Sequence, residues 1–557
     1  MSEKIWLSSY PPGIPPEVDL SSLASVAECA EQAFRDFGDH DAYVQMGRAI
    51  TFRQLDALSA AFGAWLQQAG LKRGDRVALM MPNLLQYPIA LFGALRAGFA
   101  VVNTNPLYTP PELEHQLADS GATAVVVLAN FAHVLEQVLP RTQVRHVIVT
   151  EVGDLLGFPK GAIVNFVVRR RGIPAWRIPA AVRWREVLAA GARLTLDRPE
   201  LTHDDLAFLQ YTGGTTGVAK GAMLTHGNIC ANLLQALAWI RPFLPDATEK
   251  THYLVTPIPL YHIFALTANC LVFMRLGWTN VLITNPRDFP AFVKELRKYP
   301  FAYLTGVNTL FNALMNTPGF DQLDFSHLKV TLGGGMAVQE AVATRWKEVT
   351  GKTLTQAWGL TETSPAACIN IPYTDFNGSI GLPISSTDIA IKDDAGADLA
   401  VGEVGEICVR GPQVMHGYWN RPDETEKVML PGEWLRTGDI GRMDAHGFVY
   451  IEDRKKDMIL VSGFNVYPNE VEGVIAAHPG VREVAAVAQP DARAGEVVAV
   501  FVVRKDPQLT ERDIVDWCRK SLTGYKLPRH VYFRDELPKT NVGKILRRAL
   551  REQLPQA

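Results

Sequence analysis

VALMMPNLLQYPIALFGALRAGFAVVN, residues 77–103, sets the architecture. Its opening run, Val77-Ala-Leu-Met-Met81, is uniformly apolar and short, as expected of a strand buried on both faces. Residues 84–97 follow as a helix, and Ala100-Val-Val-Asn103 reads as the next strand. Strand–helix–strand alternation implies parallel pairing with helices packed on the sheet faces. Outward from this unit, residues 122–129 and 144–150 continue the alternation, and the same texture returns between Phe208 and Leu360. After Gly378 the chain changes to short, glycine-punctuated strands at 388–391, 406–409 and 448–451, as in a small β-barrel or distorted sheet. Asp453-Arg-Lys-Lys-Asp457 then reads as a polar junction. Beyond it, strands at 484–488 and 497–503 and helices at 514–521 and 544–554 make a compact α+β unit. The expected fold is α/β, with a large N-terminal domain of parallel-rich αβα sheets plus the β-barrel-like subdomain over residues 1–455. A small α+β C-terminal domain follows over residues 456–557. No period of 20–50 residues recurs, so a repeat array is excluded.

The chain has 557 residues, 47% hydrophobic and 20% charged, enough to bury large cores. Its 55 Lys+Arg balance 58 Asp+Glu, so nothing electrostatic favours a general nucleic-acid partner. The start, Met1-Ser-Glu-Lys-Ile-Trp6, lacks the pattern of a secretory signal. Six cysteines lie far apart without a CxxC pair, which suits reduced, buried thiols and a cytoplasmic protein. Residues 254–274 carry no Asp, Glu, Lys or Arg and could span a bilayer by length. Pro257 and Pro259 break the first turns, however, and His262 and Asn269 would need partners in lipid. The better reading is a buried strand, a turn, and a helix lining an apolar cavity. Residues 155–185 carry Lys160, Arg169, Arg170, Arg171, Arg177, Arg183 and Arg185, interleaved with apolar residues and free of acids. Two expectations stand for this segment: a solvated basic surface, or peripheral contact with the anionic inner-membrane face.

Tyr211-Thr-Gly-Gly-Thr-Thr-Gly-Val-Ala-Lys-Gly-Ala222 follows the apolar run 206–209. Glycines let backbone N–H groups turn toward an anion, the threonines add hydroxyl donors, and Lys220 adds charge. The loop is not a Walker motif, because Gly221 rather than Ser or Thr follows Lys220. Gly351-Lys352-Thr353 fails too, with Trp346 where the first glycine would stand.

At this loop the sequence resembles the adenylate-forming superfamily of acyl-CoA synthetases, luciferases and peptide-synthetase adenylation domains. Further motifs match in order across nearly the whole chain: Pro259-Leu-Tyr-His262, Leu332-Gly-Gly-Gly-Met336, Gln356-Ala-Trp-Gly-Leu-Thr-Glu-Thr363, Arg436-Thr-Gly-Asp439 and Pro538-Lys-Thr-Asn-Val-Gly-Lys544. Asn103-Thr-Asn-Pro-Leu-Tyr-Thr109, the stretch 434–444 and the stretch 453–472 are most similar to the bacterial long-chain fatty-acid–CoA ligases.

The resemblance implies activation of a fatty acid by ATP with Mg²⁺, through acyl-AMP, and transfer to CoA as co-substrate. It assigns the β/γ-phosphates to Thr212, Gly213, Gly214, Thr215, Thr216, Gly217 and Lys220. Glu362 would ligate Mg²⁺, and Thr361 would touch the α-phosphate. Gly334, Gly335 and Met336 would wall the adenine slot opposite Trp358, beside Gly359. Asp439 would take both ribose hydroxyls with support from Arg454, a bidentate task suited to a carboxylate. Lys544 would bridge the substrate carboxylate and α-phosphate. The C-terminal domain is expected to be mobile about a hinge at Lys456, bringing Ser462, Gly463 and Phe464 to the CoA channel. His262, Phe264 and Leu266 would line the acyl pocket. Leu266 stands where some long-chain relatives place a tryptophan gate, a departure from that pattern.

A medium-chain or aryl acid ligase, an acyl-AMP-only ligase, and a catalytically inert lipid-associated scaffold are the competing expectations. A second copy of the chain, as a homodimer, is also open. Substituting Lys544→Ala is expected to abolish acyl-AMP formation while sparing thioesterification of supplied acyl-AMP. Equal loss of both half-reactions would contradict the role.

Overall fold

The computed structural model describes residues 4–212, 218–244, 252–491, 493–540 and 542–554. Among these residues the strands form four sheets. One is seven-stranded and holds Arg76–Met80, Ala100–Asn103, Ala124–Leu128 and His146–Thr150 in parallel, joined by Leu206–Thr212. A nine-stranded sheet has a parallel centre of Asp41–Gln45, Thr279–Leu282, Tyr253–Thr256, Phe301–Gly306, Val330–Gly333 and Leu354–Gly359. The expected parallel αβα architecture is therefore present. The glycine-punctuated region forms a five-stranded antiparallel sheet from Asp388–Lys392, Gly405–Arg410, Met429–Leu430, Trp434–Met443 and Val449–Arg454. A last sheet, centred on Val481–Asp491 and Gly495–Arg504, belongs to the smaller C-terminal domain.

The helix Gln86–Arg96 is buried along its whole length, which explains its lack of a polar face. It meets the helix Phe52–Gln68 backbone to backbone: a Cβ on Gly63 would stand 2.5 Å from the Gly93 carbonyl oxygen. Arg96, 2% exposed, is tolerated there because Glu31 and Asp56 pair with its guanidinium at 3.0 and 2.6 Å.

Most elements fall within a few residues of expectation. The last helix is a correction: it spans Arg547–Arg551, not 544–554. Lys544 lies before it, in a tight turn where Thr540 N–H donates to the Lys544 carbonyl at 2.7 Å. Gly543 there has φ +85°, which ends any helical run through the turn.

The uncharged stretch 254–274 is, as read, a strand, a turn and a helix. The helical part runs Ile263–Ala265, Leu266–Leu271 and Val272–Leu276, with the middle segment a π-helix. No helix among the described residues is long and apolar enough to cross a membrane. All six cysteines are buried free thiols.

Asn269 shows why a polar residue survives in that helix. Its amide donates to Thr256 Oγ1 at 3.0 Å and to the Val255 carbonyl at 3.3 Å, and it accepts from Thr305 Oγ1–H at 3.0 Å. The network ties the helix to two strands that lead to the site. Removing a buried partner leaves the remaining polar groups desolvated and unpaired. Asn269→Ala is therefore expected to destabilise the N-terminal domain by about 3 kcal/mol. A urea midpoint unchanged from wild type would contradict this.

Candidate active site

Strand ends deliver the expected residues to one edge. Leu206–Thr212 ends at Thr212; Gly213, Gly214, Thr215, Thr216 and Gly217 lie outside the described residues. Tyr253–Thr256 runs into the turn that ends at His262. Val330–Gly333 runs into Gly334, Gly335 and Met336. Leu354–Gly359 carries Trp358 and Gly359 and leads into the 3₁₀ turn Thr361–Thr363, which holds Thr361 and Glu362. Carboxyl ends of parallel strands are where open α/β sheets bind ligands.

Asp439 stands at this edge from the antiparallel sheet, 2% exposed. The Trp358 indole N–H donates to its Oδ2 at 2.9 Å, and Arg454 Nε lies 2.5 Å from its Oδ1. Asp439 and Arg454 are directly opposed in neighbouring strands, so strand register sets the pair. Burial raises the Asp439 pKa, and Arg454 opposes that shift. The buried carboxylate thus depends on its two partners.

The turn bearing Lys544 is docked against the N-terminal domain. Thr309 Oγ1–H donates to the Gly543 carbonyl at 2.9 Å, and Arg287 donates to the Thr540 carbonyl at 3.4 Å. Asn312 Nδ2 donates to the Arg482 carbonyl at 3.1 Å. Gly543 is required twice, by its positive φ and because a Cβ would stand 3.0 Å from Thr309 Oγ1. Lys544 is exposed by surface area, yet protein atoms crowd its ammonium. That desolvation, and then Arg454, lower its pKa to about 8, against the pull of Asp439. His262 is pushed down to about 4, by burial first and Lys544 second. Its neutral Nδ1 accepts the Phe264 N–H at 3.3 Å.

Arg547 fixes the base of this turn. Its Nη2 donates to both Glu472 carboxylate oxygens and to Asn469 Oδ1, each at 2.9 Å. Its Nη1 lies 3.4 Å from Asp457 and 3.9 Å from Asp453. Asp453 is fully buried, accepts the Asn469 N–H at 2.8 Å, and is raised to about 6, burial being the largest cause. One guanidinium therefore joins the junction 453–457 to the segment that carries Lys544. Lys456 is exposed within that junction, its pKa lowered chiefly by desolvation.

Glu362 and Lys220 share a neighbour, Tyr418. The tyrosine O–H donates to Glu362 Oε1 at 2.7 Å, and the Lys220 ammonium sits 4.7 Å from the centroid of its ring. Lys220 also pairs with Glu424 at 2.6 Å, and this bond is the first cause of a Glu424 pKa near 2. Tyr418, Glu424 and Arg547 were not singled out from sequence. Nothing in their spacing ties residue 418 to residues 220 and 362; only the fold does.

Phe264 and Leu266 are buried, 7% and 0% exposed. Gly334, at the strand-end edge, packs against the first of them, since a Cβ there would stand 3.1 Å from the Phe264 ring. Ser462, Gly463 and Phe464 are not drawn into this cluster. They form an exposed hairpin turn whose contacts are the Ser462 N–H to the Ala494 carbonyl at 2.8 Å and Phe464 stacked on Tyr525 at 4.9 Å.

Residues 30–419 match the family model described as AMP-binding enzyme, and residues 470–544 match the AMP-binding enzyme C-terminal domain. The chain is 58% identical, over 99% of its length and 98% of the relative's, to a long-chain-fatty-acid–CoA ligase of Escherichia coli O157:H7. The crystal structure of the anthranilate CoA ligase AuaEII with anthranoyl-AMP superposes with a TM-score of 0.85 at 25% identity, covering 96% of this chain and 99% of that one. MatB from Rhodopseudomonas palustris, 27% identical over 95% of this chain and 98% of its own, gives 0.81 in its ATP-bound form and 0.71 as the apo protein. By its folds, its strand-end cluster and both family matches, the chain belongs to the AMP-binding enzyme family, the adenylate-forming enzymes.

Proposed function

We propose that the protein is a long-chain fatty-acid–CoA ligase that works in two steps on one cleft. The carboxylate oxygen attacks the α-phosphorus of ATP, the bond to the β-phosphate breaks, and pyrophosphate leaves. The CoA sulfur then attacks the acyl carbonyl, AMP leaves, and the thiol proton is released. Near-full-length identity to a ligase of that name supports the substrate class. The observation that carries the chemistry is the convergence of Trp358, Asp439, Arg454 and Lys544 at the strand ends.

In this reading Asp439 receives the ribose hydroxyls, Trp358 stacks on adenine against Gly334, Gly335 and Met336, and Arg454 holds Asp439 in place. Lys544 meets the charge that builds on the α-phosphoryl group and the incoming carboxylate, where a fixed cation stabilises the transition state more than the ground state. Thr361 lies beside that phosphate, and Thr212, Lys220 and the Thr-Gly loop hold the outer phosphates. Lys220 must then exchange Glu424 for phosphate. Glu362 suits Mg²⁺ brought with ATP, because its oxygen donors match a hard cation and Tyr418 orients one of them. The bound cation would neutralise phosphate charge. We place the domain division and hinge at Lys456. The exposed turn Ser462-Gly463-Phe464 would reach the CoA channel only after rotation, which accounts for its distance from the cluster. His262, Phe264 and Leu266 lead from the cleft into the acyl pocket. A long acyl tail partitions into bilayers, which supports peripheral contact with the cytoplasmic face of the inner membrane. Self-association as a homodimer is the remaining partner expectation, to be read from sedimentation.

A lysine pKa of about 8 has a defined consequence. Below it the ammonium is present; above it the charge is lost, whereas an ordinary surface lysine keeps its charge through that range. Pyrophosphate release without CoA is expected to fall as pH rises through about 8. Lys544→Arg should be slower but flat through that range, since arginine keeps its charge. A wild-type profile flat to pH 10 would contradict the lowered Lys544 pKa, and loss of pyrophosphate release in Lys544→Ala but not in Lys544→Arg is the result that carries the role itself. The substrate is tested by offering ATP, Mg²⁺, CoA and an equimolar panel of short, medium, long and aryl acids, with products identified by mass spectrometry. Long-chain acyl-CoA is the expected main product. Aryl or medium-chain thioesters would reassign the substrate, acyl-AMP alone would end the reaction at its first step, and no adenylate would leave a scaffold.

A further inference from the structure

The helix Lys160–Arg170 turns its apolar residues the wrong way for a globular protein. Its inner side is secured by small and polar groups. Gly161 and Gly153 approach so closely that a Cβ on either would stand 2.2–2.3 Å from the other's carbonyl oxygen, and the Gly153 N–H donates to Asn165 Oδ1 at 2.6 Å. Ile163, Phe166 and Val167, spaced i, i+3 and i+4 and so on one face, are 58%, 59% and 43% exposed. Phe158, one turn earlier, is 94% exposed. Such a continuous large-apolar face, rimmed by cations, marks an interaction surface.

The loop after the helix borders a wide, open cleft of about 550 Å³, which Arg169 of the helix also lines. Trp176, Arg169, Arg177, Arg183 and Glu151 are among its lining residues. Arg169 is committed to Glu151, with contacts down to 2.7 Å, so the carboxylate of the cleft is already neutralised. Arg183 lies 5.5 Å over the Trp176 ring, and Arg170 lies 5.6 Å over Phe166. Among the described residues, the guanidinium groups of Arg170, Arg171, Arg177 and Arg183 have no carboxylate partner.

We propose that this surface is a docking site for an anionic phospholipid bilayer, with the Arg177–Arg183–Trp176 cleft taking a headgroup phosphate and the Phe158, Ile163, Phe166 and Val167 face entering the acyl boundary. A helix of this length lies flat in an interface rather than across it, about 16 Å long. The surface offers both chemistries of a leaflet, cations for phosphate and bulky apolar side chains for hydrocarbon. Free arginines beside bulky apolar side chains fit a lipid surface better than they fit an acidic protein, which would leave the four apolar side chains unburied. The function follows from the proposed ligase reading, on which this site rests: a bilayer-dissolved fatty acid is delivered where the enzyme already sits.

The test uses the full-length protein and sedimentation with phosphatidylglycerol or phosphatidylcholine vesicles. Wild type is expected to bind phosphatidylglycerol at least thirtyfold more tightly. Arg177→Gln with Arg183→Gln should weaken that binding about thirtyfold, from about 1 kcal/mol per arginine, while leaving the weak phosphatidylcholine binding in place. Phe158→Ser with Phe166→Ser should remove binding to both. Acyl-CoA formation from a water-soluble medium-chain acid, without vesicles, should be unchanged in every variant, which shows that each is folded. Absence of wild-type binding, or binding that neither pair alters, overturns the site while leaving the ligase reading intact. Absence of thioester formation by wild type that still binds vesicles would instead remove the ligase reading, and with it the fatty-acid delivery role, while leaving the docking surface.

Discussion

Asp439 is a carboxylate with almost no solvent, and its position holds the cleft together. An ion of that kind would cost several kcal/mol to bury alone. Its partners come from separate parts of the chain: Trp358 from a strand of the parallel sheet and Arg454 from the strand beside it. The carboxylate therefore fastens the antiparallel sheet to the edge of the parallel one. The positive charges of Lys544 and Lys456 add smaller contributions that favour the ionised carboxylate. Desolvation lowers the pKa of both cations; Asp439 opposes that shift at Lys544, and Asp457 first and Asp439 last oppose it at Lys456.

The second anchor is Arg547. It sits three residues beyond Lys544 and gathers Glu472, Asn469 and Asp457, with Asp453 just beyond, around one guanidinium. Asp453 belongs to the strand that also carries Arg454, whereas Glu472 and Asn469 belong to the C-terminal unit. The arginine thus spans the junction, and the Lys544 turn is held from both ends: by Arg547 below and by Thr309 and Arg287 above.

The alternation around residues 77–103 was readable because strands buried on both faces and a wholly buried helix leave no polar interruptions. The motif residues were readable because chemistry restricts them to a few types: glycine where backbones meet a ligand, carboxylate and lysine where charge is handled. What stayed hidden is what depends on three-dimensional proximity between distant residues. Tyr418 touches Glu362 across 56 positions, and Lys220 meets Glu424 across 204. Helical propensity extends the final helix back over Lys544-Ile-Leu546, but pairing holds these residues out of it: Ile545 forms a bridge with Lys539, and the Leu546 N–H donates to the Pro538 carbonyl at 2.8 Å. In the basic segment, spacing does not tell paired from unpaired arginines: the fold pairs Arg169 with Glu151 and Arg185 with Asp154.

The central claim is that the cleft joins a fatty acid to AMP before CoA takes part. Exchange of labelled pyrophosphate into ATP, measured on the wild-type protein with a long-chain fatty acid and Mg²⁺ but no CoA, tests it most directly. The account predicts rapid exchange that requires the fatty acid, because acyl-AMP formation is reversible in the cleft. Exchange that is absent, or that proceeds equally without the acid, would contradict it.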